Sequence, residues 1–474
     1  MSTTPPDPLL QAFDRLAATR AERPLVAGLH AVATVGEIDR AATALALRLA
    51  TAGWEEGTLV GLSAANGPAF LAGFLALRRA RFAPVLLDAG APSAAQGAVL
   101  GLLGARGRLA APGGWAFAPE RWELAALRPA APAGVGREIG AVMLTSGTTG
   151  SPRGVVAPSA ALVADDAQLA AVMGLAAADR MVAAVPFSHA YGLKSLAVPA
   201  LVRGSLLLSA ETPSPLAPLH LAAAGEATFL PTVPAFLAAV ARLAEPPSLP
   251  ASLRLVVSAG APLSAEVSAA FRERCGRPVH VFYGASESGG ITYDLPGGAA
   301  ERGTVGEPIP GVEVELVGEE GRVAVRSAAV ADRYLPESAP ELAGGRYLTG
   351  DLGVWKGSEL ALCGRADDLL IVKGKKVDPR EIERLLAMLP GVREAAVFGV
   401  PAPGGAGRVV GAVIAVTDGE LDYATVTGFC RERLADYQVP RALALVSELP
   451  RTARGKLDRT ALLALLGTSA RVGA

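Results

Sequence analysis

The sequence predicts an α/β fold in which helices cover mainly parallel sheets, followed by a smaller α+β domain. From about residue 58, short apolar runs typical of strands alternate with Ala- and Leu-rich helical stretches. After about residue 300 the runs become shorter and richer in Gly and Val, and a compact α+β pattern begins at about residue 367. Because 474 residues exceed what one core usually supports, we expect two domains, residues 1–366 and residues 367–474.

The predicted elements follow in order along the chain. LVGLSAA and APVLLD are strands, with the helix AFLAGFLALRRA between them. Later strands are RMVAAVPF, SLLLS, ATFL, RLVVSAG and PVHVFYG, separated by helical stretches such as VPAFLAAVARLA and SAEVSAAFRERC. This alternation predicts parallel strands, whose carboxyl ends form the usual ligand site. GVEVELVG and GRVAVRS then predict antiparallel strands. In the second domain EIERLLAML and TVTGFCRERLADY are predicted helices, and EAAVFGV and VVGAVIAV are predicted strands.

The charge balance excludes some classes of partner. Forty-four basic and 45 acidic residues give a formal charge of −1, which argues against binding to nucleic acid or to an anionic membrane. The polar, Pro-rich start MSTTPPDP and the lack of an apolar run near roughly 20 residues predict a cytoplasmic protein with no membrane span. Cys275, Cys363 and Cys430 are too few and too widely spaced for a disulfide framework or a metal site, so we expect reduced core residues.

The stretch TSGTTGSPRG, residues 145–154, directly follows the apolar run 139–144. Its glycines allow several backbone N–H groups to converge on an anion, and its hydroxyls add rotatable donors. It is not a Walker A loop, because GK[ST] is absent at the required spacing. From this loop alone, a phosphate-binding loop and a mobile Ser/Gly turn are equally compatible with the composition.

Five further motifs follow the loop in order. They are PFSHAYGL (186–193), FYGASE (282–287), YLTGDLG (347–353), GRADD (364–368) and PRTARGKLDR (450–459). Together with the loop, they resemble the motifs of the adenylate-forming (ANL) superfamily, which includes acyl-CoA synthetases, adenylation domains and luciferases. The resemblance implies that the large N-terminal domain also contains a small distorted β-barrel, and that the small C-terminal domain is mobile.

The resemblance implies an ATP-dependent activation of a carboxylic acid. The carboxylate attacks the α-phosphorus of ATP, which gives acyl-adenylate and pyrophosphate. Because two anions must meet, the protein has to supply positive charge and aligned donors. The catalytic residues that the family implies are Thr145, His189, Glu287 and Lys456. Lys456 would bridge the carboxylate and the α-phosphate, and Glu287 would hold Mg²⁺ on the phosphates.

The same resemblance assigns a nucleotide-binding set. Its members are Thr145, Ser146, Gly147, Thr148, Thr149, Gly150, Arg153, Gly260, Ala261, Tyr283, Gly284, Ser286, Asp351 and Arg365. Tyr283 would cover the adenine together with Gly260 and Ala261. Asp351 would accept hydrogen bonds from the ribose hydroxyls, with Arg365 beside the ribose or phosphate. Arg153 stands where the family usually has lysine, which keeps the charge but not the shape.

The acid pocket is predicted from the PFSHAYGL motif. Adenylation domains for amino acids have an aspartate after the phenylalanine of this motif, whereas this sequence offers His189 at the matching place. We therefore expect an acid without an α-amino group, either aromatic or aliphatic. The wall residues implied by the resemblance are Phe187, His189, Tyr191, Gly192, Phe229, Val233, Ser258, Gly289 and Gly290.

A second half-reaction is implied by the C-terminal motifs. Asp367 matches the hinge about which the small domain rotates, and the stretch VKGKK (372–376) matches the loop that approaches a pantetheine arm. Lys373, Gly374, Lys375 and Lys376 are the thiol-step residues, or simply a solvated lysine cluster. The acceptor is CoA or, alternatively, the phosphopantetheine of a carrier protein acting in trans. A homodimer is left open, and intact Glu287, Asp351 and Lys456 argue against a pseudoenzyme.

Overall fold

The computed structural model describes residues 7–128, 135–136, 138–146, 152–212, 214–245, 248–366, 370–372, 375–401, 408–417, 421–451 and 457–468. The chain divides into two compact units. The larger comprises residues 1–317, 323–349 and 354–362, and the smaller comprises residues 318–322, 350–353 and 363–474. Among the described residues, no helix is both long enough and apolar enough to cross a membrane.

The helices of the described residues are α1 (Pro8–Arg20), α2 (Val35–Ala50), α3 (Pro68–Arg79), α4 (Ser93–Leu102), α5 (Ser159–Met173), α6 (Ala190–Gly192), α7 (Val198–Arg203), α8 (Ala217–Ala224), α9 (Pro234–Ala241), α10 (Ala265–Cys275), α11 (Ala299–Arg302), α12 (Pro379–Leu386), α13 (Tyr423–Arg431) and α14 (Arg459–Thr468). A 3₁₀ turn covers Pro119–Arg121, and a π-helical segment, Leu193–Ala197, joins α6 to α7.

The strands are β1 (Pro24–Ala27), β2 (Val32–Thr34), β3 (Leu59–Ser63), β4 (Ala83–Leu87), β5 (Gly107–Ala110), β6 (Glu123–Ala126), β7 (Ile139–Ser146), β8 (Pro152–Pro158), β9 (Arg180–Val182), β10 (Leu206–Leu208), β11 (Phe229–Thr232), β12 (Leu255–Ser258), β13 (His280–Ala285), β14 (Gly289–Tyr293), β15 (Glu307–Pro308), β16 (Val312–Val317), β17 (Arg322–Ser327), β18 (Arg333–Leu335), β19 (Leu342–Ala343), β20 (Arg346–Lys356), β21 (Glu359–Arg365), β22 (Leu370–Val372), β23 (Lys375–Val377), β24 (Val392–Pro401), β25 (Arg408–Val416) and β26 (Ala442–Val446).

Two mixed sheets dominate the larger unit. One has the order β15-β14-β13-β12-β11-β9-β10-β1-β2, and the other has the order β18-β8-β7-β4-β3-β5-β6. Their central neighbours run parallel, whereas the edge strands pair antiparallel. The antiparallel strands predicted after residue 300 include β16 and β17, in a five-stranded half-barrel sheet of order β16-β17-β20-β19 with β21 on β20. The predicted fold class is therefore confirmed.

Local chemistry sets the ends of several helices. Thr34 and Glu37 form a capping box at the start of α2, in which each side chain accepts the other residue's backbone N–H. Ser264 caps α10 by accepting the N–H of Val267, without the reciprocal bond of a capping box. The helix α5 ends at Gly174, whose φ of 62° lies in the left-handed region that glycine adopts without strain.

The smaller unit is an α+β fold around its own core. β24 pairs antiparallel with β25, which pairs parallel with β26. Both predicted helices end early: α12 at Leu386 rather than Leu389, and α13 at Arg431 rather than Tyr437. After α13 the chain turns because the N–H of Ala435 donates to the side chain of Gln438, which competes with the helical pattern.

The expectation that the three cysteines are core residues holds only in part. Cys430 is buried in the core of the smaller unit, and Cys275 is half-buried. Cys363 is exposed, so the prediction is wrong at this position. The reason is the two-residue period of a strand, because Cys363 lies on the outward face of β21 while its neighbour Gly364 is buried.

Candidate active site

The stem of the Gly-rich loop is an antiparallel strand pair. In β7 and β8, Thr145 lies opposite Arg153 and Ser146 lies opposite Pro152. Residues in such a pair stand about 5 Å apart and project from the same face of the sheet. The side chains of Thr145 and Arg153 are therefore neighbours on that face. β7 also pairs parallel with β4, and the loop therefore begins at the carboxyl end of a parallel strand, where ligands bind in this type of sheet.

Tyr334 connects this stem to the FYGASE motif. The guanidinium carbon of Arg153 lies 5.4 Å from the centre of the Tyr334 ring, within range of a cation–π contact. The hydroxyl of Tyr334 donates to Oε1 of Glu287 at 3.0 Å. Burial, followed by the charge of Glu287, raises the pKa of Tyr334, so the hydroxyl stays protonated as a donor. Thr145, Arg153 and Glu287 are thus brought together, through a tyrosine that the sequence analysis missed.

Glu287 is a buried carboxylate with a fixed backbone. Glu287 is only 8% exposed, so its carboxylate is not an ordinary surface charge. Its carbonyl oxygen accepts the N–H of Ala331 at 2.7 Å. A buried carboxylate must be compensated, by hydrogen bonds or by a cation. The immobilised backbone and the bond from Tyr334 hold this carboxylate in one place.

The donor set fits Mg²⁺. Mg²⁺ keeps several waters and binds through one or two carboxylates together with substrate phosphates, rather than in a cage made wholly of protein groups. Within the described ranges there is no cluster of three or more His, Cys, Asp or Glu side chains that could hold a metal by itself. Glu287 lies next to the stem of the Gly-rich loop and is a single carboxylate of the kind that such a site needs.

The predicted adenine residues lie near the carboxyl ends of two neighbouring strands of the nine-stranded sheet. Tyr283 and Gly284 lie on β13, which runs parallel to β12, and Gly260 and Ala261 follow β12. Gly260 has a φ of +80°, and a side chain added there would meet no atom within 4 Å. The open space beside Gly260 is compatible with a bound ring. Gly284 is required to be glycine for a different reason, because a Cβ there would lie 2.6 Å from the carbonyl oxygen of Gly289 across the hairpin.

The acid-pocket motif is held by the side chain of Asn66 and by the backbone carbonyl of Val257. Phe187 is fully buried, and its N–H donates to Oδ1 of Asn66 at 2.8 Å. The hydroxyl of Tyr191 donates to the carbonyl of Val257 at 3.1 Å, and its ring lies 5.8 Å from that of Phe282. Gly192 has to be glycine, because a Cβ there would lie 2.0 Å from the carbonyl oxygen of Pro186.

The remaining wall residues on β11 and β12 lie at opposite ends of these strands. Ser258 ends β12, and it lies opposite Thr232, directly before Val233. Phe229 starts β11 opposite Leu255, so it is separated from the Thr232–Ser258 row by about 10 Å of strand. His189 is half-buried and precedes α6, where its carbonyl accepts the N–H of Leu193. The structure thus gathers Val233 and Ser258 at one end of the sheet and leaves Phe229 at the other.

Within the smaller unit, Asp351 and Arg365 form an ion pair. Nη1 of Arg365 lies 3.0 Å from Oδ1 of Asp351, and the two side chains are 38% and 20% exposed. Both are therefore partly accessible to a ligand. The ammonium of Lys375 lies 4.7 Å from the centre of the Tyr437 ring, a contact that satisfies this lysine within its own unit.

The sequence profile of the AMP-binding enzyme family matches residues 13–335. A second profile, that of the AMP-binding enzyme C-terminal domain, matches residues 381–456. The chain belongs to the AMP-binding enzyme family. The predicted membership of the adenylate-forming superfamily is confirmed by these matches.

Several proteins of known activity or known structure are similar to this chain. The 2-succinylbenzoate–CoA ligase of Geobacillus kaustophilus is 31% identical over 475 residues, which cover 94% of this chain and 95% of that protein. The sulfoacetate–CoA ligase of Cupriavidus necator is 31% identical over 340 residues, which cover 68% of this chain and 66% of that protein. The o-succinylbenzoate CoA synthetase of Bacillus subtilis, solved with the acyl-adenylate OSB-AMP, superimposes with a TM-score of 0.80 at 24% identity and covers 99% of both chains. This last similarity concerns the fold.

Some predicted site residues of this AMP-binding enzyme lie outside the described residues. They are Gly147, Thr148, Thr149, Gly150, Asp367, Lys373, Gly374 and Lys456. Their roles remain predictions from the sequence.

Two buried charges near the site were missed by the sequence analysis. Nζ of Lys194 donates to the carbonyl of Ser286 at 3.3 Å, and Oδ1 of Asp165 accepts the N–H of Gly290 at 2.8 Å. Burial lowers the pKa of Lys194, and the charges of Asp165 and Glu287 oppose that effect. Both residues had a signal in the sequence, because each is a charge within an apolar run, GLKSLAVPALV and AALVADDAQLA.

Proposed function

We propose that this protein is an AMP-forming ligase that activates a carboxylic acid with ATP and transfers the acyl group to CoA. The observation that carries the proposal is the contact series from Thr145 and Arg153 through Tyr334 to Glu287. It supports the proposal because the stem of the predicted anion-binding loop lies beside a buried carboxylate suited to Mg²⁺. Both curated relatives described above are named CoA ligases, which supports the same assignment.

In the first half-reaction a carboxylate oxygen attacks the α-phosphorus of ATP, and pyrophosphate leaves. Mg²⁺ on Glu287 would screen the phosphate charge. Thr145 and Arg153 would contact the phosphates, and Lys456 would neutralise the repulsion between the two anions. Tyr283, Gly260 and Ala261 are proposed to bind the adenine, and Asp351 and Arg365 the ribose. In the second half-reaction a thiol attacks the acyl carbon, loses its proton, and releases AMP.

The proposed acid lacks an α-amino group. His189 occupies the position where an aspartate would meet an ammonium, so no fixed anion is provided there. The wall near Phe187 and Tyr191 is apolar and aromatic, which suits an aryl group or an alkyl chain. CoA is the proposed acceptor, and the phosphopantetheine of a carrier protein is the alternative outcome of the test. The expected cytoplasmic location and the homodimer remain predictions.

The test is a panel of acids with pyrophosphate detection, begun with benzoates and medium-chain fatty acids. We expect pyrophosphate release with ATP, Mg²⁺ and the correct acid, and its loss in Glu287→Gln. Adding CoA or a carrier protein that bears phosphopantetheine then identifies the acceptor by the thiol that becomes acylated. Binding of ATP without activation of any acid in a broad panel would contradict the proposed ligase activity.

A further inference from the structure

The turn between β13 and β14 is held from behind by two buried charged side chains. This segment, Ser286–Gly290, carries Glu287 and is called the 286–290 turn below. Lys194, from the π-helical segment, donates to the carbonyl at the start of the turn. Asp165, from α5, accepts the N–H at its end. The two residues are 4% and 1% exposed, so both charges are removed from water.

The fit between the turn and Asp165 is tight. Gly289 has a φ of +73°, and a Cβ there would lie 2.2 Å from Oδ1 of Asp165. Only glycine combines this backbone conformation with the close approach of a carboxylate. The turn therefore has one backbone conformation, fixed at both ends by side chains from two different helical segments.

Burying a lysine costs several kcal/mol unless nearby groups compensate it. Lys194 lies close enough to Asp165 and Glu287 for both carboxylates to stabilise its charged form. An ion pair that only stabilises the fold would not need to contact the turn that carries Glu287, as Lys194 and Asp165 do. The neighbouring ion pair, between Asp166 of α5 and Arg203 of α7 at 2.6 Å, is of this structural kind. Within the described residues, neither of its side chains hydrogen-bonds to the 286–290 turn.

We propose that Lys194 is a positioning residue, which, together with Asp165, holds the 286–290 turn so that Glu287 meets Mg²⁺ on the bound nucleotide. This inference relies on the proposed function only in taking MgATP as the ligand of Glu287. Lys194 acts through the carbonyl of Ser286 and does not touch the reacting atoms. Its replacement should weaken use of the metal, because partners behind a metal ligand typically change affinity or activity by about 10- to 100-fold.

The central variant is Lys194→Met, which keeps the unbranched side chain to within one atom of its length and removes its charge and its donor. ATP binding is measured by calorimetry at a series of Mg²⁺ concentrations, and pyrophosphate release is measured in parallel. We expect the Mg²⁺ concentration for half-maximal ATP binding to rise by about 10-fold. Lys194→Arg keeps a cation and a donor, so it should recover part of the loss.

Two further variants separate positioning from stability. Lys194→Met with Asp165→Asn removes both buried charges and keeps an acceptor for the N–H of Gly290. We expect this double variant to regain thermal stability while its Mg²⁺ requirement stays high, because Ser286 still lacks its donor. Arg203→Met is the matched control: it breaks the adjacent buried ion pair, so the melting temperature should fall while the Mg²⁺ requirement stays that of the wild type.

The proposal is overturned if Lys194→Met binds MgATP like the wild type, or if the double variant regains both stability and metal use. It is overturned together with the proposed function if the wild type binds no MgATP. If the wild type binds MgATP but activates no acid, only the ligase assignment fails, because the calorimetric comparison does not need turnover.

Discussion

The nucleotide side and the acid side of the candidate site are built in different ways. On the nucleotide side, charged and phenolic side chains contact one another, from Arg153 through Tyr334 to Glu287. On the acid side, Phe187 and Tyr191 are fixed by hydrogen bonds that involve Asn66 and the backbone carbonyl of Val257. The first arrangement controls charge, whereas the second controls shape.

This difference has a measurable consequence. Electrostatic groups that act on phosphate should contribute equally to the activation of every acid, because the phosphate is always the same. Groups that shape the acid wall should change the ranking of acids instead. Variants on the two sides therefore separate by whether their effect depends on the acid.

The largest effect is expected for Lys456→Ala, on the nucleotide side. Removal of a donor that stabilises transition-state charge costs about 100- to 1,000-fold in rate. We expect adenylate formation, measured as pyrophosphate release, to fall by at least about 100-fold for every acid. Transfer of the acyl group from supplied acyl-adenylate to the thiol should change much less, since a different face of the small domain is predicted to serve that step.

Lys356→Ala provides the control, because within the part of the chain that the structure describes this exposed lysine donates to the carbonyls of Arg302 and Gly303 and to no predicted site residue. An equal loss in both half-reactions of Lys456→Ala would count against the predicted alternation of the small domain.

An intermediate effect is expected for Tyr334→Phe, which tests the connection between the two ends of the nucleotide side. The variant leaves Oε1 of Glu287 without its 3.0 Å donor. Hydrogen bonds to charged groups contribute about 1.5–3 kcal/mol, so adenylate formation should fall by about 10-fold or more, by a similar factor for each acid. The measurement is kcat/KM for pyrophosphate release with two unlike acids.

Tyr293→Phe is the matched control for this change. Tyr293 is a buried tyrosine of β14 whose hydroxyl has no hydrogen-bond partner within the described residues. Its loss should leave the rate nearly unchanged. Equal activity of the Tyr334→Phe and Tyr293→Phe enzymes would show that Tyr334 does not contribute to the site.

The sequence predicts those site residues that lie within short local motifs, and it misses those that reach the site through long-range contacts. The loop that contains Thr145 has a local chemical meaning, because glycines and hydroxyls at a strand end suit an anion, whereas Glu287 and Tyr191 are predicted through the resemblance of their motifs to the family. Tyr334 has no such local signal. It reaches Glu287 only because β18 pairs with β8, which is a contact between distant parts of the chain.

The fold shows the same division. Alternating apolar runs predict the central parallel strands β3, β4 and β9 to β13, since periodicity is a local property. They miss outer strands such as β1, β2, β5 and β6. The early ends of α12 and α13 were not predictable from periodicity. After α12 the N–H of Met388 bonds three residues back to the carbonyl of Leu385, and after α13 the N–H of Ala435 donates to the side chain of Gln438. Lys194 and Asp165 illustrate the remaining case: the sequence shows isolated charges in apolar runs, but only the tertiary fold shows that both contact one turn.

The smallest effect is expected on the acid side, for Tyr191→Phe. The variant removes the 3.1 Å hydrogen bond to the carbonyl of Val257 but keeps the ring packed near Phe282. A neutral hydrogen bond contributes about 1 kcal/mol, so the KM for the acid should change by only about 3- to 5-fold. The KM for ATP should remain that of the wild type. Because the ring belongs to the predicted acid wall, aryl and alkyl acids should be affected to different extents. A uniform loss for all acids, like that expected of Tyr334→Phe, would place Tyr191 with the nucleotide and would dissolve the distinction between the two sides.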